Sequence, residues 1–242
     1  MIAIRDLYKS FNGNHVLRGV TLDIPRGLTQ IIIGRSGSGK SILLKHIIGL
    51  IKPDAGDILV DDENITHMSS AELFQVRRKF GMLFQGAALF DSMTVEENVA
   101  LGLRFHRMLP ERQIRERVAD RLGMVGLRNT ENLKPAELSG GMRKRVGLAR
   151  ALMMDPEFVL YDEPTTGLDP ITADTINNLM IELAQKLGVT SIVVTHDMVS
   201  ASKVGDCIAM LHEGKIIFNG TPEEMRTTDQ PFIRPFIESS IL

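Results

Sequence analysis

At 242 residues and 43% hydrophobic content, the chain can bury a full core, either as one large domain or as a domain carrying an inserted subdomain. Its 28 basic and 30 acidic residues leave a net charge of -2, which gives no electrostatic case for nucleic-acid binding. The single cysteine, Cys207, excludes an internal disulfide and suits a reducing compartment.

Apolar runs at residues 2–4 and 16–24 predict strands, and Arg5, Asp6 and Lys9 interrupt the first too early for a signal peptide. Gln30-Ile31-Ile32-Ile33 predicts a buried strand. Directly after it, Gly34-Arg35-Ser36-Gly37-Ser38-Gly39-Lys40-Ser41 makes a glycine-rich turn that leads into an amphipathic helix, Ile42-Leu43-Leu44-Lys45-His46-Ile47-Ile48. Strand, turn and helix in that order form a phosphate-binding loop in its proper context. The most apolar stretch, residues 42–51, carries Lys45 and His46 and is far short of a membrane span. A turn at 52–57 precedes alternation at 58–60, which predicts another strand. From about residue 95 to 151 the spacing becomes helical and rich in Arg and Glu, and methionines there, such as Met108 and Met124, read as core filler. Phe158-Val159-Leu160-Tyr161 and Ser191-Ile192-Val193-Val194-Thr195 are continuous apolar runs, the mark of parallel strands covered on both faces, with a helix predicted over 173–187 between them. Thr221-Pro222-Glu223-Glu224 reads as a capped helix start without chemistry of its own. The layout predicts an α/β nucleotide-binding core interrupted by a mostly helical insert.

The loop chemistry follows from its residue types. Glycines let successive backbone N–H groups point at one anion, and the helix N-terminus adds partial positive charge. Lys40 then reaches the β and γ phosphates of a nucleoside triphosphate, and the Ser41 hydroxyl is placed to ligate Mg²⁺. Asp162 and Glu163 end a buried parallel strand at its carboxyl edge, where side chains face the nucleotide crevice. Asp162 can hold Mg²⁺ through water, and Glu163 can orient the attacking water and accept its proton.

Leu138-Ser139-Gly140-Gly141-Met142, followed by a helix over 143–152, resembles the LSGGQ signature of ATP-binding-cassette ATPases. The other elements of that family stand in order: Gln85 of the Q-loop, Thr166-Gly167-Leu168-Asp169 of the D-loop and His196 of the switch histidine. Phe11 stands where the adenine-stacking aromatic falls, with Tyr8 the next candidate. The resemblance covers nearly the whole chain. It implies a P-loop NTPase core with a mostly parallel sheet over 1–84 and 152–220, which includes an N-terminal antiparallel β part. It also implies a helical subdomain with the signature over 85–151, and a C-terminal helix and tail over 221–242. ATP and Mg²⁺ are the implied cofactors. Gly34, Arg35, Ser36, Gly37, Ser38, Gly39, Lys40, Ser41 and Asp169 are implied to bind nucleotide, and Ser41, Gln85 and Asp162 the metal. Glu163, His196 and Gln85 are the implied catalytic set. Ser139, Gly140 and Gly141 form a second anion site at a helix start, and in a head-to-tail homodimer they face the γ-phosphate held by the other copy. Arg143, Lys144 and Arg145 oppose the dipole of that helix by about 0.3–1 kcal/mol each, which suits either approaching phosphates or an ordinary solvated basic face.

Within the family the chain is most similar to the Mla/MCE-type cassettes of phospholipid transport. Gly81-Met82-Leu83-Phe84-Gln85-Gly86-Ala87-Ala88-Leu89-Phe90-Asp91-Ser92, the signature run with Met142, and Asp169-Pro170-Ile171-Thr172 carry this likeness. It implies integral-membrane permease subunits, an MCE-domain lipid-binding protein in the same complex, a peripheral place on the cytoplasmic face of the inner membrane, and no nucleic acid. Two alternatives stay open: the ATPase of another transporter, such as a nutrient importer, and a soluble ABC ATPase acting on DNA or ribosomes. Against the latter, the chain has neither heptad runs nor a repeat of the motifs. Gly86-Ala87-Ala88-Leu89-Phe90 mixes small and large apolar residues, so it is expected to line a groove for a short permease helix. Apolar residues in Pro231-Phe232-Ile233-Arg234-Pro235-Phe236-Ile237 are expected to pack across the dimer.

Overall fold

In the computed structural model, which describes residues 1–238, the chain begins with β1 (Ile2–Phe11), β2 (Asn14–Ile24), β3 (Thr29–Ile33), α1 (Lys40–Ile47), β4 (Ala55–Val60), β5 (Glu63–Asn64) and α2 (Ser70–Arg77). It continues through β6 (Phe80–Leu83), α3 (Val95–Phe105), α4 (Glu111–Met124), α5 (Gly140–Ala151), β7 (Phe158–Asp162) and α6 (Pro170–Leu187). It closes with β8 (Thr190–Thr195), α7 (Met198–Val204), β9 (Cys207–His212), β10 (Lys215–Gly220), α8 (Pro222–Thr227) and α9 (Arg234–Glu238). Two compact units result, Met1–Arg77 with Thr190–Leu242 and Arg78–Val189.

The first unit holds an antiparallel sheet in the order β2-β1-β4-β5 and the strand run β10-β9-β3-β8. In that run β3 lies parallel to both β8 and β9, and β10 returns antiparallel on β9. Every residue of β3 and β8 is buried, as their unbroken apolar runs require, and each isoleucine of β3 contributes about 1.5–3 kcal/mol through burial. The strand expected at 2–4 continues to Phe11. Its pairing with β2 shifts register between Ile4 and Leu7, where Asp6 takes φ 44°, and the bulge returns Leu7 to the core.

In the second unit β6 and β7 pair in parallel from Phe80↔Phe158 to Leu83↔Tyr161, and the Phe80 and Phe158 rings stack at 4.9 Å between centroids. α3, α4 and α5 pack on one another, and α5 also covers β6. Thr94 and Glu97 form a reciprocal capping box that starts α3. α6 begins at Pro170, earlier than the helical pattern at 173, because Asp169 caps the amides of Ile171 and Thr172 and proline suits the first turn. It ends at Gly188 in the left-handed conformation, φ 63°.

Two expectations are corrected. Met108 is exposed rather than core filler, and Met124 is only half-buried, its sulfur 3.3 Å from an Arg121 guanidinium nitrogen. At the C-terminus the capping box of Thr221 and Glu224 starts α8 as read. Ile233 is buried in the chain's own fold, and Phe232 lies exposed against the His212 ring at 5.2 Å. Residues 239–242 of the expected tail lie outside the described residues. No helix of the described residues is long and apolar enough to cross a membrane.

β6 runs so close to the end of α5 that a Cβ on Gly81 would stand 2.4 Å from the Ala151 carbonyl oxygen. Gly81→Ala should therefore destabilise the protein by about 1–3 kcal/mol. At Gly86 an added Cβ meets nothing within 4 Å, so Gly86→Ala should change stability by less than about 1 kcal/mol. Thermal unfolding of the two variants checks the contrast.

Candidate active site

β3 delivers the phosphate-binding loop. A Cβ on Gly34 would lie 2.3 Å from the Leu211 carbonyl oxygen, so close approach to β9 demands glycine there. Gly39, at φ 101°, caps α1 from the left-handed region, which a side chain would strain. The Ser38 N–H donates to the Arg35 carbonyl at 3.1 Å and closes the loop, while Arg35, Ser36 and Gly37 stay exposed. Lys40 is buried, and its Nζ donates to the carbonyls of Gly34 (2.8 Å) and Arg35 (3.2 Å), so the ammonium sits over its own loop. Ser41, half-buried, is the second residue of α1. A curl of backbone N–H groups with one ammonium is an anion site.

Elsewhere in this unit, His196 stands exposed directly after buried β8, and Asp197 behind it caps α7 through the amides of Val199 and Ser200. Phe11, at the end of β1, is 40% exposed and so is no buried edge residue; the Lys9 ammonium lies 5.4 Å from its ring centroid. Tyr8 is also exposed, with its hydroxyl against Gly19.

The second unit holds the carboxylates. Asp162 ends β7 and is buried, and Glu163 follows it, also buried, at φ 48°. A left-handed backbone at a non-glycine residue costs about 1–2 kcal/mol. The Glu163 carbonyl accepts hydrogen bonds from the Thr166 amide (3.3 Å) and Lys144 Nζ (3.0 Å), and its carboxylate accepts one from the Thr166 hydroxyl (3.1 Å). Gln85 is exposed just past β6, on a turn whose next residues, Ala87 (φ 59°) and Ala88 (φ 47°), are both left-handed.

Ser139 caps α5, its hydroxyl accepting from the Met142 amide at 3.2 Å, without a reciprocal bond from Met142. Asp169, the D-loop aspartate, accepts from the amides of Ile171 and Thr172 and from the Thr172 hydroxyl at 2.6 Å. That hydroxyl, then the Thr172 amide, hold its carboxyl below the usual carboxylate range. Thr172, fixed in this way, puts its methyl 2.5 Å from where a Cβ on Gly141 would fall. A Cβ on Gly140 would be 3.3 Å from Leu168.

The basic run after the signature does something neither sequence reading anticipated. Arg143 is exposed, but its guanidinium donates to the Leu138 carbonyl at 2.9 Å, and Arg145 reaches the Gly126 carbonyl at 3.3 Å. Lys144 is buried and donates to the carbonyls of Gln85 (2.5 Å) and Glu163 (3.0 Å). Burial lowers the pKa of its ammonium, against the opposing charges of Asp162 and Glu163. Arg150 and Asn98 were missed by the sequence reading. Arg150 donates to the carbonyls of Ala87 and Ala88, both at 2.7 Å. Buried Asn98 accepts from the Phe90 amide (2.8 Å) and donates to the Phe90 carbonyl (3.1 Å). A signal for Lys144 existed, since it falls on the stripe of 141, 144, 148 and 151, whose members are all buried.

Beyond that turn, Phe90 joins Leu101, Phe105, Met153 and Met154 around a surface cavity of about 520 Å³. Phe90 is 51% and Phe105 78% exposed, while Leu89 is half-buried. Such an apolar, open concavity fits a partner's side chains.

Met142 leaves half of a capping box unmade. Met142→Gln should restore the return bond and raise stability by at most about 1 kcal/mol without loss of ATPase activity. Thermal unfolding of the nucleotide-free variant, with a turnover assay, measures both.

Residues 17–166 match the family described as ABC transporter. The chain is 42% identical over 236 residues to a probable ribonucleotide transport ATP-binding protein, Mkl, of Mycobacterium leprae, covering 98% of this chain and 68% of that one. It is 40% identical over 238 residues to the intermembrane phospholipid transport system ATP-binding protein MlaF of Escherichia coli K12, covering 98% and 88%. Among solved structures, a dimeric ATP-binding cassette in a post-hydrolysis state with ADP and Pi superposes with a TM-score of 0.84 at 34% identity, over 92% of this chain and 99% of that one. The CbiO1 cassette of Clostridium perfringens, part of the ABC transporter complex CbiONQ, superposes with a TM-score of 0.85 at 32% identity over 98% of each chain. The chain belongs to the ABC transporter family, as an ATPase cassette.

Proposed function

We propose that the protein hydrolyses MgATP as a head-to-tail homodimer and drives an integral-membrane permease that moves phospholipid. The observation that carries the substrate class is the 40% identity to MlaF, which runs through 98% of this chain and so includes the Phe90 segment as well as the nucleotide motifs. An MCE-domain lipid-binding protein in the same complex, and a place on the cytoplasmic face of the inner membrane, belong to the same reading. The permease contact is assigned to the cavity beside Phe90.

The geometry of each group supports the role proposed for it. Gly34, Arg35, Ser36, Gly37, Ser38 and Gly39 offer backbone N–H groups to the phosphates, and Lys40 swings from its own loop carbonyls to the β and γ phosphates. Phe11 stacks on adenine. Ser139, Gly140 and Gly141 present the N-terminus of α5 to the γ-phosphate held by the other copy, beside Asp169 of the D-loop. Glu163 orients the attacking water and accepts its proton, and His196 senses the γ-phosphate. The Ser41 hydroxyl, the Gln85 amide oxygen and the Asp162 carboxylate are each hard oxygen donors of the kind Mg²⁺ takes, and the ion would neutralise phosphate charge. Among the described residues no cluster of three His, Cys, Asp or Glu offers a different metal site.

A second reading rests on the mycobacterial relatives, whose printed substrate is ribonucleotide. Transport assays with the purified complex, offering phospholipid vesicles and ribonucleotides in turn, decide between them.

Glu163→Gln should lower turnover at least about a hundredfold while ATP binding persists and ATP traps the dimer. Turnover near the wild-type rate would remove Glu163 as the base. Phe90→Asp should leave ATP binding intact and abolish recovery of the permease in a pull-down from membranes. Normal assembly of the Phe90→Asp complex would reject the docking cavity.

A further inference from the structure

We infer that Lys144 is a positioning residue for ATP hydrolysis: one buried ammonium joins the backbone of Gln85 to the backbone of Glu163 and sets both side chains for the reaction. This rests on the assignment of Glu163 and Gln85 to the ATP site. The geometry is specific. Nζ lies 2.5 Å from the Gln85 carbonyl oxygen and 3.0 Å from the Glu163 carbonyl oxygen, and the lysine side chain is buried. Both acceptors sit in irregular backbone, so neither has a ladder partner waiting if the ammonium is withdrawn.

Glu163 is the residue that most needs such a hold. Its φ of 48° is a strained conformation for a glutamate, and such a conformation persists only where neighbouring contacts over-determine it. Its carbonyl also accepts the Thr166 amide at 3.3 Å, a long bond. A charge-assisted bond from a buried ammonium is stronger than this neutral one. The Gln85 end of the bridge is held from the same helix, because Arg150 fixes the carbonyls of Ala87 and Ala88 two and three residues further on. Removing the ammonium therefore frees the Glu163 backbone to relax while the loop stays anchored. A general base displaced by a fraction of an ångström loses rate without losing affinity for the substrate.

The test is steady-state ATPase kinetics of the full transporter complex carrying Lys144→Met, Lys144→Gln or Glu163→Gln. Lys144→Met should lower kcat on the order of tenfold to a hundredfold, with KM for ATP within about twofold of wild type. Lys144→Gln keeps an N–H donor that reaches one carbonyl, so it should recover part of the loss. In the Glu163→Gln background, adding Lys144→Met should leave ATP affinity and the ATP-trapped dimer unchanged. If Lys144→Met does not fold, Lys144→Gln is read in its place, and the expectation is a kcat reduced at least about threefold at unchanged KM. Wild-type kcat in the readable variant, with Glu163→Gln inactive, would overturn the inference and leave the base assignment standing. So would a Lys144→Met variant whose kcat, KM and melting temperature all fall together, since that pattern marks a purely structural lysine. An active Glu163→Gln would instead overturn the base assignment itself.

Discussion

Backbone carbonyls that lie outside helices and strands still need donors, and in this protein long cationic side chains supply several of them. An unpaired buried carbonyl costs about 1–3 kcal/mol, so a turn near reactive groups is stable only if something reaches it. Helix α5 reaches two such places: Lys144 bonds the carbonyls of Gln85 and Glu163, and Arg150 those of Ala87 and Ala88. The first unit uses the same device, with Arg77 donating to the carbonyls of Ile48 (3.1 Å) and Gly49 (2.6 Å) where α1 ends. In each case the charged tip does the bonding; Lys144 is buried, and Arg77 and Arg150 are half-buried. The conformation of the irregular segments therefore depends on cations borne by regular ones.

This dependence separates what could be read from the sequence from what could not. The phosphate-binding loop was legible because its parts are contiguous: β3, the glycines and α1 follow one another, and glycine is needed at Gly39 for its backbone angle. Buried strands β3, β7 and β8 were legible as unbroken apolar runs, since a strand covered on both faces has no polar side to alternate with. β1 was read too short because a bulge at Asp6 breaks the period of two, and polar residues at the bulge look like a strand end. The partners of Lys144 were not legible at all. Gln85 lies 59 positions from it and Glu163 19, and no local period links them. Residue type misled as well, because three consecutive basic residues suggest a solvated face, whereas alternate faces of a helix give each a different fate.

Left-handed backbone falls differently on the phosphate-binding loop and on the segments of Gln85 and Glu163. In the phosphate-binding loop, left-handed backbone falls on Gly37 and Gly39, where it is nearly free. In the second unit it falls on Ala87, Ala88 and Glu163. For Glu163 the proposed role requires the side chain, so glycine is no option. Ala87 has a packing reason: it is buried, and its Cβ is 3.3 Å from where a side chain on Gly147 would stand. A glycine at 87 would relieve the backbone and leave a void against α5.

The same crowding explains why glycines persist inside α5, where each costs about 1 kcal/mol relative to alanine. A Cβ on Gly147 would come within 2.9 Å of Leu83 Cδ1, and one on Gly141 within 2.5 Å of the Thr172 methyl. Thr172 is fixed by Asp169, so the D-loop aspartate, by capping α6, also dictates that position 141 have no side chain. The signature glycine is thus demanded by packing within its own subunit. The anion proposed at the start of α5 would be a second demand on the same residue, and a substitution at Gly141 that weakened ATP hydrolysis would not by itself separate the two.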